Sequence, residues 1–552
     1  MEVIKLKEKF IRKCPEACEY QQRLNRELEL LEKKNFINYI LQVCEILVLI
    51  EETPHIIRGS SGSSLVCWLL GITNIDPVLN KICFSRFLNC FRNSMPDIDM
   101  DFPHNQRSKI FDKIYSKWNN VVRISNYVTY KHKGAIRKAL KDMGVIGLVP
   151  KSKVNLNYWG NNKEKNKELL EKVEQIKGKF KNYSLHCGGI IFFTDIEQMK
   201  LYKIKNRQIL LDKVDVESEG FFKIDILSNR GLSQLINIDK KPIEQYDFND
   251  IKTKELLNSG NNIGLTFAES PGMRRIFSII KPKTVMDIAK CLALIRPGAS
   301  KNSYDTVDDL DDEIIFDDDA IIYIQNMLDC DEDKADSIRR LYSKGNKLEI
   351  GNFEIEMFGK NTELDIDLIS SKLINLKKYS FCKSHALSYA YLVWALAYQK
   401  ANNPKKFWKS TIKNCHSMYR KWVHIREGIC AGVTVKCDDT LNNLEHFSKY
   451  GFWLGENFID SNMYVNIINE KTKECEFRGL IASAKYYKNF NKKSKSYDLL
   501  TFITIGYKNQ IYIDLIVKGF QKTSNRNVCS GIGKLNIKKD YVTIIIDKIF
   551  YK

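Results

Sequence analysis

The sequence lacks the marks of several protein classes. No apolar run is long enough to cross a bilayer, and the best stretch, Val43–Ile50, is short and broken by Glu45. The N-terminus opens on charged, helix-like residues without the apolar core of a secretory signal. There are 15 cysteines, yet none forms a Cys-x-x-Cys pair or a Cys/His set with zinc spacing; Cys14 and Cys18 stand four apart with no partner set further on. These absences argue against a membrane protein, a secreted disulfide scaffold and a zinc module. They leave a cytoplasmic chain with reduced, mostly buried thiols. Internal repeats and low-complexity linkers are also missing, so domain boundaries are soft.

What is present is an ordinary globular mixture, 44% hydrophobic and 28% charged. At 552 residues the chain exceeds what one core usually covers, and several domains are expected. Lys and Arg number 87 against 67 Asp and Glu, a formal charge of +20. Such an excess suits an anionic partner, most commonly nucleic acid, although a lysine-rich composition produces the same number.

The apolar spacing of Leu24, Leu28 and Leu31, then of Ile40, Leu41, Cys44 and Leu47, predicts helices over 20–50, ended by a turn at Glu51–Pro54. A small-residue loop, Arg58-Gly59-Ser60-Ser61-Gly62-Ser63-Ser64, then runs into an apolar helix, Leu65–Leu70. Residues 126–182 read as helical and very basic. Gly188–Phe193 and Gly220–Leu227 read as strands, 233–430 as mostly helical with an acidic stretch over 305–319, and the chain from 476 onward as a small all-β module.

Two segments carry chemistry. Asp97-Ile98-Asp99-Met100-Asp101-Phe102 alternates acid and apolar residue, so a strand there puts three carboxylates on one face. Like charges that close repel, and hard cations such as Mg²⁺ favour carboxylate oxygens; an exposed edge strand is the bland alternative. Lys223-Ile224-Asp225-Ile226-Leu227 places one acid in an otherwise buried strand, which is costly unless it is paired or metal-bound. Two acids on one strand and a third on a neighbour suit two-metal phosphoryl transfer. The Gly/Ser loop and the helix after it offer N–H groups and hydroxyls to a phosphate. A Gly-Ser turn, a helix and an Asp-x-Asp strand, in that order, match the layout of the DNA polymerase β nucleotidyltransferase superfamily.

With these residues in hand the chain resembles the α subunit of bacterial DNA polymerase III, the C family of replicative polymerases. The blocks that match are Arg58–Ser64 with Gly71–Pro77, Phe84–Asn89, Ser94–Phe102, Lys133–Arg137, His186–Gly189, Lys223–Leu227, Phe267–Met273, Leu294–Gly298, Ala335–Arg340 and Lys383–Ala386, collinear over roughly 20–410. The resemblance implies an α/β multidomain enzyme with a polymerase β-like palm (1–125 and 183–232), a helical thumb (126–182) and fingers (233–430). A linker or reduced duplex-binding region (431–475) and an OB-like β-barrel (476–552) follow. It implies template-directed DNA synthesis with two Mg²⁺ or Mn²⁺ ions held by Asp97, Asp99 and Asp225, and Asp101 in support. Nucleotide contacts fall on Arg58, Gly59, Ser60, Ser64, Arg86, Lys223, Arg296, Arg339 and Arg340. His385 fits a packed helix position equally well. DNA contacts fall on Lys133 and Arg137. In the C-terminal module they fall on Lys485, Tyr486, Tyr487, Phe490 and Lys492, in a loop that interleaves aromatic and basic residues and suits stacked single-stranded bases.

Primer–template DNA and deoxynucleoside triphosphates are the expected partners, and no sliding-clamp peptide is evident. No phosphoesterase domain precedes the palm, so no proofreading is expected. A catalytically silent nucleic-acid binder and a template-independent nucleotidyltransferase are the rival readings. The three intact acids disfavour the first, and the long fingers and barrel disfavour the second.

Overall fold

The computed structural model describes residues 1–51, 53–91, 96–147, 149, 154–295, 314–360, 373, 381–414, 417–435, 463–491, 496–508, 511–521, 523, 527–538 and 541–551. The first strands are β1 (Ile56–Arg58), β2 (Ile98–Pro103), β3 (Val121–Thr129), β4 (Phe180–Phe192), β5 (Ile204–Lys205), β6 (Gln208–Ile209) and β7 (Ile224–Asn229). They form a mixed sheet in the order β1-β2-β7-β4-β3-β6-β5, with β2 and β7 parallel at its centre.

One face of that centre is apolar. Ile98, Met100 and Phe102 from β2 and Ile224 and Ile226 from β7 are buried with Leu24, Leu28 and Leu31 of the helix Cys18–Lys33. Ile37, Ile40 and Val43 of the helix Ile37–Leu49 join the same core. Each such side chain contributes about 1.5–3 kcal/mol on burial. Because strand side chains alternate, packing this face obliges Asp97, Asp99 and Asp101 to the other.

The short helix Leu65–Leu69 is pinned by a buried acid. Glu27 accepts hydrogen bonds from the Ser64 hydroxyl (2.7 Å) and from the Leu65 (2.9 Å) and Val66 (3.1 Å) amides, and it pairs with Arg23 at 2.7 Å. Ser64 Oγ in turn accepts from the Cys67 amide. These donors are the ones expected to be free for a phosphate. Glu27 satisfies them from within the fold, and Ser64 is fully buried.

The segment 126–182 is less helical than expected. β3 runs to Thr129 and pairs antiparallel with β4, Thr129 opposite Phe180. Val121, Val122, Ile124, Val128 and Thr129 favour a strand over the surrounding basic helical pattern. The helices His132–Asp142 and Lys163–Ile176 stand on this ribbon and bury Ala135, Ile136, Ala139, Leu140, Leu169 and Val173 against one another.

Beyond the sheet lies a helical region built around the helix Lys383–Asn402, which packs with Val285–Leu294 and Ile251–Asn258. The acids Asp317–Asp319 open the helix Asp317–Leu328 and are turned inward. Asp318 accepts from the Cys83 and Lys383 amides, and burial lifts its carboxyl to about 6.

The C-terminal strands are β8 (Tyr464–Asn469), β9 (Glu474–Asn491), β10 (Ser496–Lys508), β11 (Ile511–Lys518), β12 (Val528–Lys538) and β13 (Tyr541–Tyr551). β9, β10, β11, β13 and β12 close in that order into a five-stranded barrel, with β11 and β13 parallel and β12 returning to β9. This is the architecture of an OB-like barrel. β8 adds to β9 before residue 476, so sheet pairing begins earlier than expected. The aromatic–basic stretch from Lys485 to Asn491 is strand rather than loop, paired residue by residue with Ser496–Phe502.

Replacing Glu27 by Ala strands three donors and the Arg23 charge. Stability should fall by roughly 3–5 kcal/mol, read from chemical denaturation. A loss under about 1 kcal/mol would mean that water replaces the carboxylate without cost.

Candidate active site

Strand register builds the site. Arg58 on β1 lies opposite Asp99 on β2, Asp99 opposite Asp225 on β7, and Asp225 opposite Gly189 on β4. Residues directly opposite share a face, so one row holds a guanidinium, two carboxylates and a glycine without a side chain. Asp97 sits just before β2 on the same side and is one-quarter exposed.

The acids are compensated by cations and neutral donors. Lys223 Nζ is 2.6 Å from Asp225 and 3.3 Å from Asp97, and Lys213 Nζ reaches Asp97 at 2.9 Å. Arg58 Nε is 3.8 Å from both Asp99 and Asp101. Asp101 is nearly buried and accepts from Asn229 (2.9 Å) and the Tyr389 hydroxyl (3.0 Å). Burial, then the hydrogen bond and charge of Asp225, lift the Asp99 carboxyl to about 7 against the pull of Lys223 and Arg58. Burial raises Asp225 as well, but Lys223 outweighs it and leaves that carboxyl below the usual range.

One oxygen is left over. Asp225 Oδ1 is buried and accepts no hydrogen bond. The nearest ring nitrogen, His186 Nδ1, stands 3.5 Å away but accepts the Gly188 and Gly189 amides, so it has no proton to offer. Burial also holds that imidazole below its ordinary value. Among the described residues no three His, Cys, Asp or Glu groups stand in metal-holding geometry. The donor set and the orphaned oxygen nonetheless suit a hard divalent cation.

The Gly/Ser loop borders this row. Gly59 takes φ +81°, where L-residues are strained, and a side chain there would approach Asp99 Oδ2 at 3.5 Å. Its amide donates to His385 Nδ1 at 2.9 Å, and its carbonyl accepts from Ser384, so His385 is tied to the loop rather than merely packed. Ser60 opens the turn Ser60–Ser63 and is half-buried.

Other expected site residues lie elsewhere. Arg86 pairs with Asp317 (2.6 Å), the buried Arg339 with Asp317 and Asp336, and Arg340 with Asp336 (2.5 Å). In this arrangement their charges are compensated among themselves rather than standing with the acids. Arg296, the Phe490 side chain and Lys492 lie outside the described residues. Lys133 and Arg137 are exposed one helical turn apart on His132–Asp142. Lys485, Tyr486 and Tyr487 are exposed on the barrel, with Tyr486 against Phe520 and Lys485 over Tyr487. The reading of the sequence missed Lys213, Tyr389 and Glu27. Lys213 alone carried a signal, lying ten residues before Lys223 in an acid-rich segment.

A mixed sheet with helices on one face and a row of acids on the other, flanked by helical regions, defines a polymerase palm with thumb and fingers. Two family models tile the chain: the bacterial DNA polymerase III alpha NTPase domain over residues 3–228, and the finger domain of the same subunit over 228–364. The chain is 28% identical over 452 residues to the DNA polymerase III subunit alpha of Mycoplasma genitalium, covering 70% of this chain and 51% of that protein. It is 27% identical over 477 residues to the subunit of Aquifex aeolicus, covering 70% and 41%. Against the subunit of Streptococcus pyogenes serotype M1 it is 25% identical over 573 residues, covering 93% and 53%. The chain belongs to the family of the bacterial DNA polymerase III alpha subunit. It spans about half the length of the curated relatives it matches. No helix among the described residues is long and apolar enough to cross a membrane.

The raised Asp99 carboxyl predicts a pH effect on stability. A carboxyl held above its unfolded value stabilises the fold fully below about 4, and that contribution is lost as pH rises through about 7. In chelator-treated protein, Asp99→Asn should match wild type near pH 4 and melt about 2–4 °C higher at pH 8. A variant that melts lower at pH 8 would show that the ionised carboxylate holds the site together.

Proposed function

We propose that the chain is a template-directed DNA polymerase that adds deoxynucleotides to a primer 3′-hydroxyl, with Asp97, Asp99 and Asp225 as its catalytic acids. The observation that carries the reading is the in-register row Arg58–Asp99–Asp225, with Asp97 beside it and a buried Asp225 oxygen that no protein donor satisfies. Asp97, Asp99 and Asp225 would hold two divalent cations, Mg²⁺ or Mn²⁺, which when bound neutralise the triphosphate and lower the pKa of the primer hydroxyl.

The chain's own residues do the positioning. Arg58, one-third exposed beside Asp99, presents its planar fork to triphosphate oxygens, and Ser60 and the Gly59 turn border the same space. Lys223 keeps the acids apart in charge when the nucleotide is absent, and Lys213, the more exposed ammonium, is free to turn from Asp97 to phosphate.

We assign the palm to residues 1–125 and 183–232, the thumb to 126–182 and the fingers to 233–430. Lys133 and Arg137, exposed and in line on their helix, take duplex phosphates. Arg340, the most exposed of the fingers arginines that pair with Asp317 and Asp336, reaches phosphate when that network opens. The barrel's Lys485, Tyr486 and Tyr487 take template single strand by stacking and charge.

Primer extension with and without template tests the reading. Asp97→Ala, Asp99→Ala and Asp225→Ala should each lose at least ~10³-fold in rate, about 4 kcal/mol of transition-state stabilisation, while binding primer–template. Asp101→Asn should lose less. Extension without template would point to a template-independent transferase, and binding without extension by the wild type to a silent binder.

A second test reads the barrel. Replacing Tyr486 and Tyr487 together by Ala should weaken single-strand binding by roughly 1–3 kcal/mol per base unstacked, while extension on short-overhang templates changes much less. Unchanged single-strand affinity would remove these two rings from the proposed interface.

A further inference from the structure

Phe267 has the backbone and surroundings of a residue held in place for a purpose. It takes φ +73°, a left-handed conformation that a bulky side chain rarely adopts, and its ring is 40% exposed. The loop beneath it is fastened by buried polar groups on several sides. Lys400 Nζ donates to the carbonyls of Asn261 (2.5 Å) and Ile263 (2.8 Å). Glu269, which pairs with His424 at 2.9 Å, accepts the Gly264 amide at 2.9 Å. Gln234 donates to the Gly264 carbonyl and accepts from the Thr266 hydroxyl, both at 2.8 Å. Strain that persists under such over-determination is characteristic of ligand-clamping positions.

The ring is connected to the acid row. It lies parallel to Tyr389, with centroids 4.2 Å apart and planes 8° apart. The Tyr389 hydroxyl donates to Asp101, and the same phenol is a hydrogen-bond partner of Arg58. His385 packs edge-on against Tyr389 at 4.6 Å and accepts the amide of Gly59. An exposed aromatic ring is thus stacked on the residue that orients Arg58, which lies opposite Asp99 in the strand register.

We propose that Phe267 is a stacking platform for the base of the incoming deoxynucleotide. The proposal rests on the polymerase reading of the acid row and adds to it a specific aromatic contact. One ring face is taken by Tyr389, and the exposed part of the ring offers an apolar surface to a base whose triphosphate lies at Arg58 and the acids. Stacking of this kind tolerates all four bases, as template-directed synthesis requires.

Full-length Phe267→Ala, Phe267→Leu and Phe267→Tyr proteins test this. Ala retains a Cβ and so the same backbone strain, isolating the ring; Leu keeps apolar bulk and guards against misfolding; Tyr should restore function. Single-nucleotide insertion should show KM for the nucleotide raised by about fivefold or more in Ala and Leu, with the larger part of the loss in KM rather than kcat, and near wild-type values in Tyr. Binding of 2-aminopurine deoxyribonucleoside triphosphate opposite thymine, with a 3′-deoxy primer, should be quenched by wild type and Tyr but less by Ala and Leu.

A KM within twofold of wild type in both Ala and Leu would overturn the proposal, as would unchanged quenching. Quenching lost only when 2-aminopurine is the templating base would assign the ring to the template strand and overturn it equally. A wild-type protein that extends no primer would instead bring down the polymerase reading, which separates the two failures.

Discussion

The parallel pairing of β2 with β7 puts Asp99 directly opposite Asp225, and much of the surrounding structure is a response to that pair. Two carboxylates in one row on adjacent strands repel. The fold answers with one ammonium between Asp225 and Asp97, a guanidinium beside Asp99, and an Asp99 carboxyl raised by burial and by the charge of Asp225. His186 is denied the same role by the two glycine amides it accepts. The glycines have their own reason: a Cβ at Gly188 would press on the Ile226 carbonyl, and one at Gly189 on the Ile124 side chain. A sheet that keeps acids this close holds electrostatic energy that a bound cation would release, and the apolar face behind it supplies the stability to hold it.

The parts of this arrangement that follow from local periodicity were legible in the sequence. Alternation in Asp97–Phe102 correctly separated acids from core, and the apolar flanks of Asp225 placed it in a buried strand. The five-stranded barrel was visible in its short alternating segments. What the sequence hid was long-range pairing. Nothing near Ser64 announces that Glu27, nearly forty residues earlier, will fill the helix N-terminus; a run of glycines and serines before a helix looks the same whether its donors are free or taken. The ribbon of β3 and β4 was obscured because its strands are separated by two helices and pair across some fifty residues. The pairing of Arg86, Arg339 and Arg340 with Asp317 and Asp336 joins side chains up to 231 residues apart, which no local pattern announces.

Buried ionisable groups recur as fasteners of irregular backbone. Glu27 holds the Gly/Ser loop and its helix, Lys400 and Glu269 hold the loop at 261–269, and Asp318 joins the segment at Cys83 to the helix that begins at Lys383. Each is a buried acid or base bonded to backbone groups of a loop, so each is costly to remove. Loops that must keep an unusual shape near an active centre gain from such fasteners, because propensity favours none of these conformations.

The barrel's seat has a mechanical consequence. Arg420 donates to Asn527 and the Thr523 carbonyl, Trp422 to the Ile481 carbonyl, and Tyr512 to Glu427, all between the barrel and the helix Lys421–Cys430 or its N-cap. Four hydrogen bonds spread over several strands resist torque as well as translation. Any swing of the barrel must carry that helix with it, and the helix is packed on Pro404–Asn414 and, through it, on the long helix beside the acids. Force applied to the barrel would therefore be felt along the helix Lys383–Asn402, making the two a single lever rather than a tool on a tether.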